Sequence, residues 1–320
     1  MKSNYLIFFF LFAFALVFSC KNVKKEKTST EEIVVEETNN YPTNVFDIVT
    51  RSMEFQMKDT ITSGWNTFKY DNRANETHFF RFVKLPEGIT VENYKNEADP
   101  VFEEGMDLIN EGKPEEGFKA FGKMPKWFSE CVPSGGSGLI APKHTTFTAF
   151  SLTPGLYAVE CYVKMPNGKF HSTMGMVKQV FVSETDSGNQ PPEATDVIDV
   201  KEDGFHFDRP ISKGKHVFQV NIVNQKLHEN FATSDVHLVK LSNTASVDSL
   251  ESWMVWYDPK GFITPVPNGL TFLGGFNDAI EGTTGYFYAD LEPAKYAFVA
   301  EVPNAKEKGL LKEFEVLASN

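Results

Sequence analysis

Four side chains carry the chemistry this sequence is equipped to do: His78, Cys161, His171 and Met176. A thiolate, two imidazoles and a thioether form a soft donor set that favours copper. Two histidines and a cysteine near one plane, with a weak methionine contact, is the arrangement of electron-transfer sites. Alternation along Gly155-Leu156-Tyr157-Ala158-Val159-Glu160-Cys161 puts Tyr157, Val159 and Cys161 on one face of a strand, and Ala158 and Glu160 on the other, so the thiol points inward. His78 closes a loop that starts at Asn72, and His171 and Met176 follow the turn Met165-Pro166-Asn167-Gly168. Each residue alone also has a plainer reading: His78 as a hydrogen-bonded loop residue, Met176 as core, and Cys161 as a buried thiol or half of a disulfide with Cys131. Other catalytic patterns are missing: the chain has no Gly-x-Ser-x-Gly elbow, His-Glu-x-x-His, Cys-x-x-Cys or Walker loop. Ser134-Gly135-Gly136-Ser137-Gly138 precedes a strand and not a helix, which makes it a turn and not an anion cradle.

The elements that must position these residues are short runs rich in Val, Phe, Tyr and Thr, broken by Gly, Pro, Asn and Asp, the pattern of sandwich-type β domains. The stretch from Glu184 to Val197 divides them into two halves, and the halves repeat one another in order. Ile61-Thr62-Ser63-Gly64 parallels Ile211-Ser212-Lys213-Gly214, Phe82-Val83-Lys84-Leu85 parallels Leu238-Val239-Lys240-Leu241, and Leu152-Thr153-Pro154-Gly155-Leu156-Tyr157 parallels Leu291-Glu292-Pro293-Ala294-Lys295-Tyr296. This alignment sets Ala300 against Cys161 and Leu310 against Met176, with Glu307 and Lys308 in the stretch that would need a histidine; His228 and His237 fall near the upstream histidine position. Between Glu97 and Phe128, Phe102, Met106 and Ile109 recur at helical spacing, and Phe118 and Phe121 follow Pro114, which predicts one or two inserted helices.

Asn72-Arg73-Ala74-Asn75-Glu76-Thr77-His78 resembles the loop that carries the first histidine ligand of cupredoxins (plastocyanin/azurin-like proteins). Gly155 to Cys161, with His171-Ser172-Thr173-Met174-Gly175-Met176, resembles their closing Cys…His…Gly-Met motif. The resemblance implies an all-β fold of two tandem cupredoxin-like Greek-key sandwiches with a short helical insertion in the first. It also implies that His78, Cys161, His171 and Met176 hold one copper ion for electron transfer or copper handling. The chain departs from the family in the nine residues that separate Cys161 from His171. Small cupredoxins usually have a much shorter gap, whereas copper nitrite reductase domains, which are similar, use a loop nearly this long. The alternative use of the same scaffold is a metal-free binding module for a protein or glycan.

At the amino terminus, Lys2 and the apolar run from Tyr5 to Phe18 lead to Ser19-Cys20, the order of a secretory signal, and the run is short of the roughly 20 residues of a membrane span. Leu16-Val17-Phe18-Ser19-Cys20 resembles the lipobox of bacterial lipoproteins, in which the cysteine is lipidated. The expected organisation is a signal peptide over 1–19, a tether over 20–44 too polar to bury a core, a first domain over 45–184, a linker over 185–196 and a second domain over 197–320. The protein is expected in the cell envelope, held to a membrane by lipid on Cys20, with a redox or envelope protein as partner. A net charge of −12 without clustered Lys and Arg speaks against nucleic acid.

Overall fold

The structure is a computed structural model that describes residues 42, 44–207 and 209–318. The expected signal peptide, Cys20 and nearly all of the expected tether lie outside the described residues. Residues 40–320 form one compact unit. No helix among the described residues is long and apolar enough to cross a membrane.

The first half contributes β1 (Phe46–Thr50), β2 (Thr60–Asn72), β3 (Arg81–Lys84), β4 (Val132–Gly136), β5 (Thr145–Leu152), β6 (Gly155–Glu160) and β7 (Val177–Asp186). The second contributes β8 (Asp196–Lys201), β9 (Gly204–His206), β10 (Gly214–Ile222), β11 (Val236–Leu241), β12 (Leu270–Phe276), β13 (Thr284–Leu291), β14 (Ala294–Val299) and β15 (Leu311–Val316). Long β2 shows how the sequence closes a sandwich. Its inward set begins Ile61 and Ser63, slips by one residue at Gly64-Trp65, and resumes as Asn66, Phe68, Tyr70 and Asn72. Before the slip β2 pairs with β7, and from Gly64 onward it pairs with β5. The register shifts between Thr62 and Ser63, and Gly64 takes φ +78°. A bulge of this kind bends a strand from one sheet into the facing one, and a Cβ on Gly64 would stand 2.6 Å from the Asp186 carboxylate.

Several pairings of the first half recur in the second in the same chain order, although the β2–β7 pairing does not. β1 lies parallel to β2 as β8 does to β10. The antiparallel pairs β2–β5, β3–β4, β3–β6 and β6–β7 recur as β10–β13, β11–β12, β11–β14 and β14–β15. Gly64 faces Leu152 and Gly214 faces Leu291. Tyr157 and Tyr296 each donate a hydroxyl hydrogen bond of 2.8 Å to the carbonyl four residues back. The fold is mostly β with few helices, as expected. β5 also pairs with β13, joining the halves into an eleven-stranded sheet beside a four-stranded one. Clustered phenylalanines fill the interior: Phe68 stacks on Phe150 at 4.9 Å and Phe218 on Phe287 at 4.8 Å between ring centroids.

The helical insertion lies between β3 and β4 as α1 (Val91–Asn93), a π-helical turn over Tyr94–Ala98, α2 (Asp99–Asn110) and α3 (Pro114–Phe121). It begins at Val91, ahead of Glu97, because the Asn93 side chain accepts from the Thr90 N–H at 3.1 Å and caps the entry. Pro100 and Pro114 sit in the first turns of α2 and α3, where a missing N–H costs nothing. The helices cross at two glycines: a Cβ on Gly105 would lie 2.1 Å from the Phe121 ring, and one on Gly117 would lie 2.5 Å from the Gly105 carbonyl oxygen. The outer face of β6 is consequently covered, so Ala158 and Glu160 are as buried as Tyr157 and Val159. A further helix in the second half, α4 (Val247–Trp253), is capped by the Ser246 hydroxyl.

Candidate metal centre

Three loops at one end of the first half bring three of the four predicted donors, His78, Cys161 and His171, together, with Met176 tied to them through its backbone. Asn72, at the end of β2, is fully buried, and its amide donates to the carbonyls of Glu76, Ile140 and Ala141 at 2.9, 3.1 and 3.2 Å. The loop it closes delivers His78, which exchanges backbone hydrogen bonds with Ile140 at 3.2 and 2.7 Å. Cys161 follows directly after β6, and its N–H donates to the Met176 carbonyl at 3.2 Å. The nine-residue gap forms a hairpin: Lys164 bridges to Phe170, and Met165 N–H donates to Lys169 O at 2.8 Å. His171 N–H then reaches Val163 O at 2.8 Å. An insertion whose ends meet lengthens the loop without moving its last residue, so His171 stands where a short loop would put it. Met176 is fully buried, and its N–H donates to His171 O at 2.8 Å, which ties its backbone to both Cys161 and His171.

Cys161 Sγ lies 3.6 Å from His78 Nδ1 and 3.7 Å from His171 Nδ1, and the two Nδ1 atoms are 3.1 Å apart. A point in their plane equidistant from all three is about 2.0 Å from each, near metal–nitrogen bond lengths of ~2.0–2.1 Å and somewhat below metal–sulfur lengths of ~2.3 Å. All three residues have 0% exposure, and the remaining ring nitrogens, His78 Nε2 and His171 Nε2, are buried without a hydrogen-bond partner. Burial holds both imidazoles neutral. His78 is pushed down to about 3, first by desolvation and then by His171, and His171 to about 4 by desolvation. The Cys161 thiol is pushed up to about 12 by burial, although the backbone of Phe79 and Val163 hydrogen-bonds to the sulfur and favours the thiolate. Two neutral imidazoles and one thiol with converging lone pairs suit a soft cation. Neighbouring Cys131 is also a free thiol; its Sγ faces the Trp127 carbonyl at 3.8 Å, and the two cysteines are not bonded.

The second half offers no matching set. Ala300 N–H donates to Leu310 O at 2.9 Å and Leu310 N–H to Ala305 O at 2.7 Å, repeating the Cys161–Met176–His171 pattern with Ala300, Leu310 and Ala305. The residue at the second histidine position is therefore Ala305, just ahead of Glu307 and Lys308. His237 faces Val299 as Arg81 faces Glu160, so the counterpart of His78, three residues earlier, is Ser234, and neither His228 nor His237 fills that position. Asp235, His237 and Glu301 lie close together and buried, but both ring nitrogens of His237 are engaged. Nδ1 accepts from the Leu139 N–H at 2.9 Å, and Nε2 donates to Asp235 at 2.6 Å. That histidine has no lone pair left for a metal.

The sequence reading did not reach the carboxylates gathered beside this site: Asp99, Glu160, Asp235, Asp278 and Glu301 line one cavity. One signal was available, since Glu160 is a charged residue inside the apolar run Tyr157 to Val163. The others come from remote segments and carry no shared pattern.

No protein-family model and no curated protein matches the chain. Among solved structures it is similar to auracyanin from Roseiflexus castenholzii, at 20% identity over 44% of this chain and 98% of that one, with a TM-score of 0.26. A second likeness is to auracyanin A, a "blue" copper protein from Chloroflexus aurantiacus, at 17% identity over 43% and 96%, with a TM-score of 0.25. A multicopper oxidase covers more, 85% of this chain and 87% of its own, at 13% identity and a TM-score of 0.22. Superpositions this loose leave the reading of the site to its own geometry.

Proposed function

We propose that this protein binds one copper ion through His78, Cys161 and His171, with Met176 as a weak fourth ligand, and that it transfers electrons from a lipid-anchored position in the cell envelope. The observation that carries this reading is the convergence of three soft donor atoms, from two separate loops, around a point about 2.0 Å from each. Copper in such a site supplies a one-electron couple with little rearrangement of its ligands. The protein's part is to hold the imidazoles neutral, to keep water out, and to steady the thiolate with the backbone of Phe79 and Val163. Complete burial of the donors favours electron transfer over copper delivery, because a sealed site has no open position from which the ion could pass on. We read the two halves as copies of one unit, the first of which keeps the donors.

Reconstitution of reduced, lipid-free protein with Cu(II) tests this reading. About one copper per chain and a strong visible absorption are expected. Cys161→Ser should abolish the colour, and Met176→Leu should keep the metal and shift its potential. Sub-stoichiometric copper that survives Cys161→Ser would favour the metal-free binding module. The anchor is tested separately: Cys20→Ser should release the protein into the soluble envelope fraction or leave it unprocessed, and a processed variant still held at the membrane would exclude lipidation at that residue.

A further inference from the structure

A cavity of about 190 Å³ lies between the two halves, on the face of β6 opposite the thiol of Cys161. Its walls carry five carboxylates, from Asp99, Glu160, Asp235, Asp278 and Glu301, and one cation, Arg81. Four of these carboxylates have company. Asp278 lies 3.2 Å from Arg81 Nε and Glu160 3.8 Å from its Nη1. Asp235 accepts from His237 at 2.6 Å and from the Glu301 N–H at 2.8 Å, and Glu301 accepts from the Tyr162 hydroxyl at 2.8 Å. Among the described residues the Asp99 side chain has no hydrogen-bond or ion-pair partner, although it is only 5% exposed and faces the cavity. Burial, with Glu160 and Glu103 beside it, pushes its carboxyl up to about 7 against the weaker opposing pull of Lys95. The contact between Arg81 Nε and Asp278 Oδ1 also lacks hydrogen-bond alignment, so both atoms stay unsatisfied.

Much of the remaining wall is aromatic, with Val83, Cys131, Pro133, Ser172, Ala232 and Thr233 between the rings. Phe102 sits edge-on to Phe231 at 6.2 Å and to Trp256 at 5.8 Å between ring centroids. Tyr94 and Tyr162 also line it, and the exposed Leu227 and Phe231 belong to its lining as well. A buried acidic group without a partner either holds its proton or pairs with a cation, and a cation in the cavity would draw out the carboxylate. A hard metal ion gathers about six or more converging oxygens, whereas here four of the five carboxylates are already engaged and most of the large side chains around the fifth are aromatic. Ring faces and a single free carboxylate match an organic ammonium ion, whose charge pairs with the acid and whose body packs on the rings. The space suffices, since a cavity of about 150 Å³ admits benzene.

We propose that this cavity binds a small arylalkyl amine as its ammonium ion, with the head group on Asp99 and the body against Phe102, Phe231 and Trp256. The site stands independently of copper, so the experiment uses copper-free protein. Phenethylamine and its neutral counterpart 2-phenylethanol are titrated at neutral pH, followed by calorimetry and tryptophan fluorescence. The amine should bind one to one and about tenfold or more tighter than the alcohol, as a charge-assisted contact implies. Asp99→Asn should remove about tenfold or more of the amine's affinity while leaving the alcohol unchanged. Phe231→Ala, in the lining of the cavity, should weaken both ligands with an unaltered circular dichroism spectrum. Absent binding, equal affinity for amine and alcohol, or amine affinity indifferent to Asp99→Asn would overturn the proposal.

Discussion

At the scale of single residues, the donor set is costly for the protein to keep empty. Two imidazoles are desolvated with their Nδ1 atoms 3.1 Å apart, and both Nε2 atoms are buried without partners. Each unsatisfied buried polar group costs about 1–3 kcal/mol, so nothing in folding alone recommends the arrangement. A cation that accepts all three lone pairs turns this cost into binding energy. The protonation states then set the pH dependence. Above the depressed histidine values of about 4 and 3, both rings are already neutral and release nothing on binding. The thiol, raised to about 12, keeps its proton until the metal displaces it. Across neutral pH copper binding should therefore release one proton, and affinity should fall about tenfold for each unit of acidification. Below about pH 4 the slope should steepen as the rings protonate. Calorimetry in buffers of different ionisation enthalpy counts the proton directly. Release of none would mean that the thiol is not a ligand.

At the scale of elements, Asn72 holds the first histidine in place without touching the donors. Its side chain ties the end of β2 to Glu76 in its own loop and to Ile140 and Ala141 in the loop that carries the backbone partner of His78. Asn72→Ala should cost about 2–4 kcal/mol, because it strands two or three buried carbonyls. It should weaken copper binding while leaving the donor types, and so the colour at saturation, unchanged. A variant with wild-type stability and affinity would show that the loop holds itself. This clamp was legible in the sequence as an asparagine before a histidine-ended loop, and the β6 alternation correctly turned Cys161 inward. The path of the gap before His171 was not legible, because spacing counts residues and cannot tell a wandering loop from a hairpin that returns to its start. The burial of the other face of β6 was not legible either, because alternation along one strand does not show that an insertion from elsewhere in the chain covers Ala158 and Glu160.

At the scale of the whole molecule, the motifs of the sequence divide the chain into two halves but do not say how the halves meet. β5 and β13 pair through Thr148–Phe287, Ala149–Tyr286 and Phe150–Gly285, and the main apolar core runs without interruption from Ile48 to Val316. Edge pairing of this kind depends on two strands that no periodicity links. The copper-free protein should therefore unfold in one calorimetric transition, with van't Hoff and calorimetric enthalpies equal, because losing either half bares both a strand edge and core on the other. Copper bound only by the folded first half should raise that same transition as a unit, by about 4 kcal/mol at free metal 1,000-fold above its dissociation constant. If instead the metal raised one of two resolved transitions and left the other in place, the halves would be independent bodies. The cavity between them would then be a meeting of surfaces and not a built site.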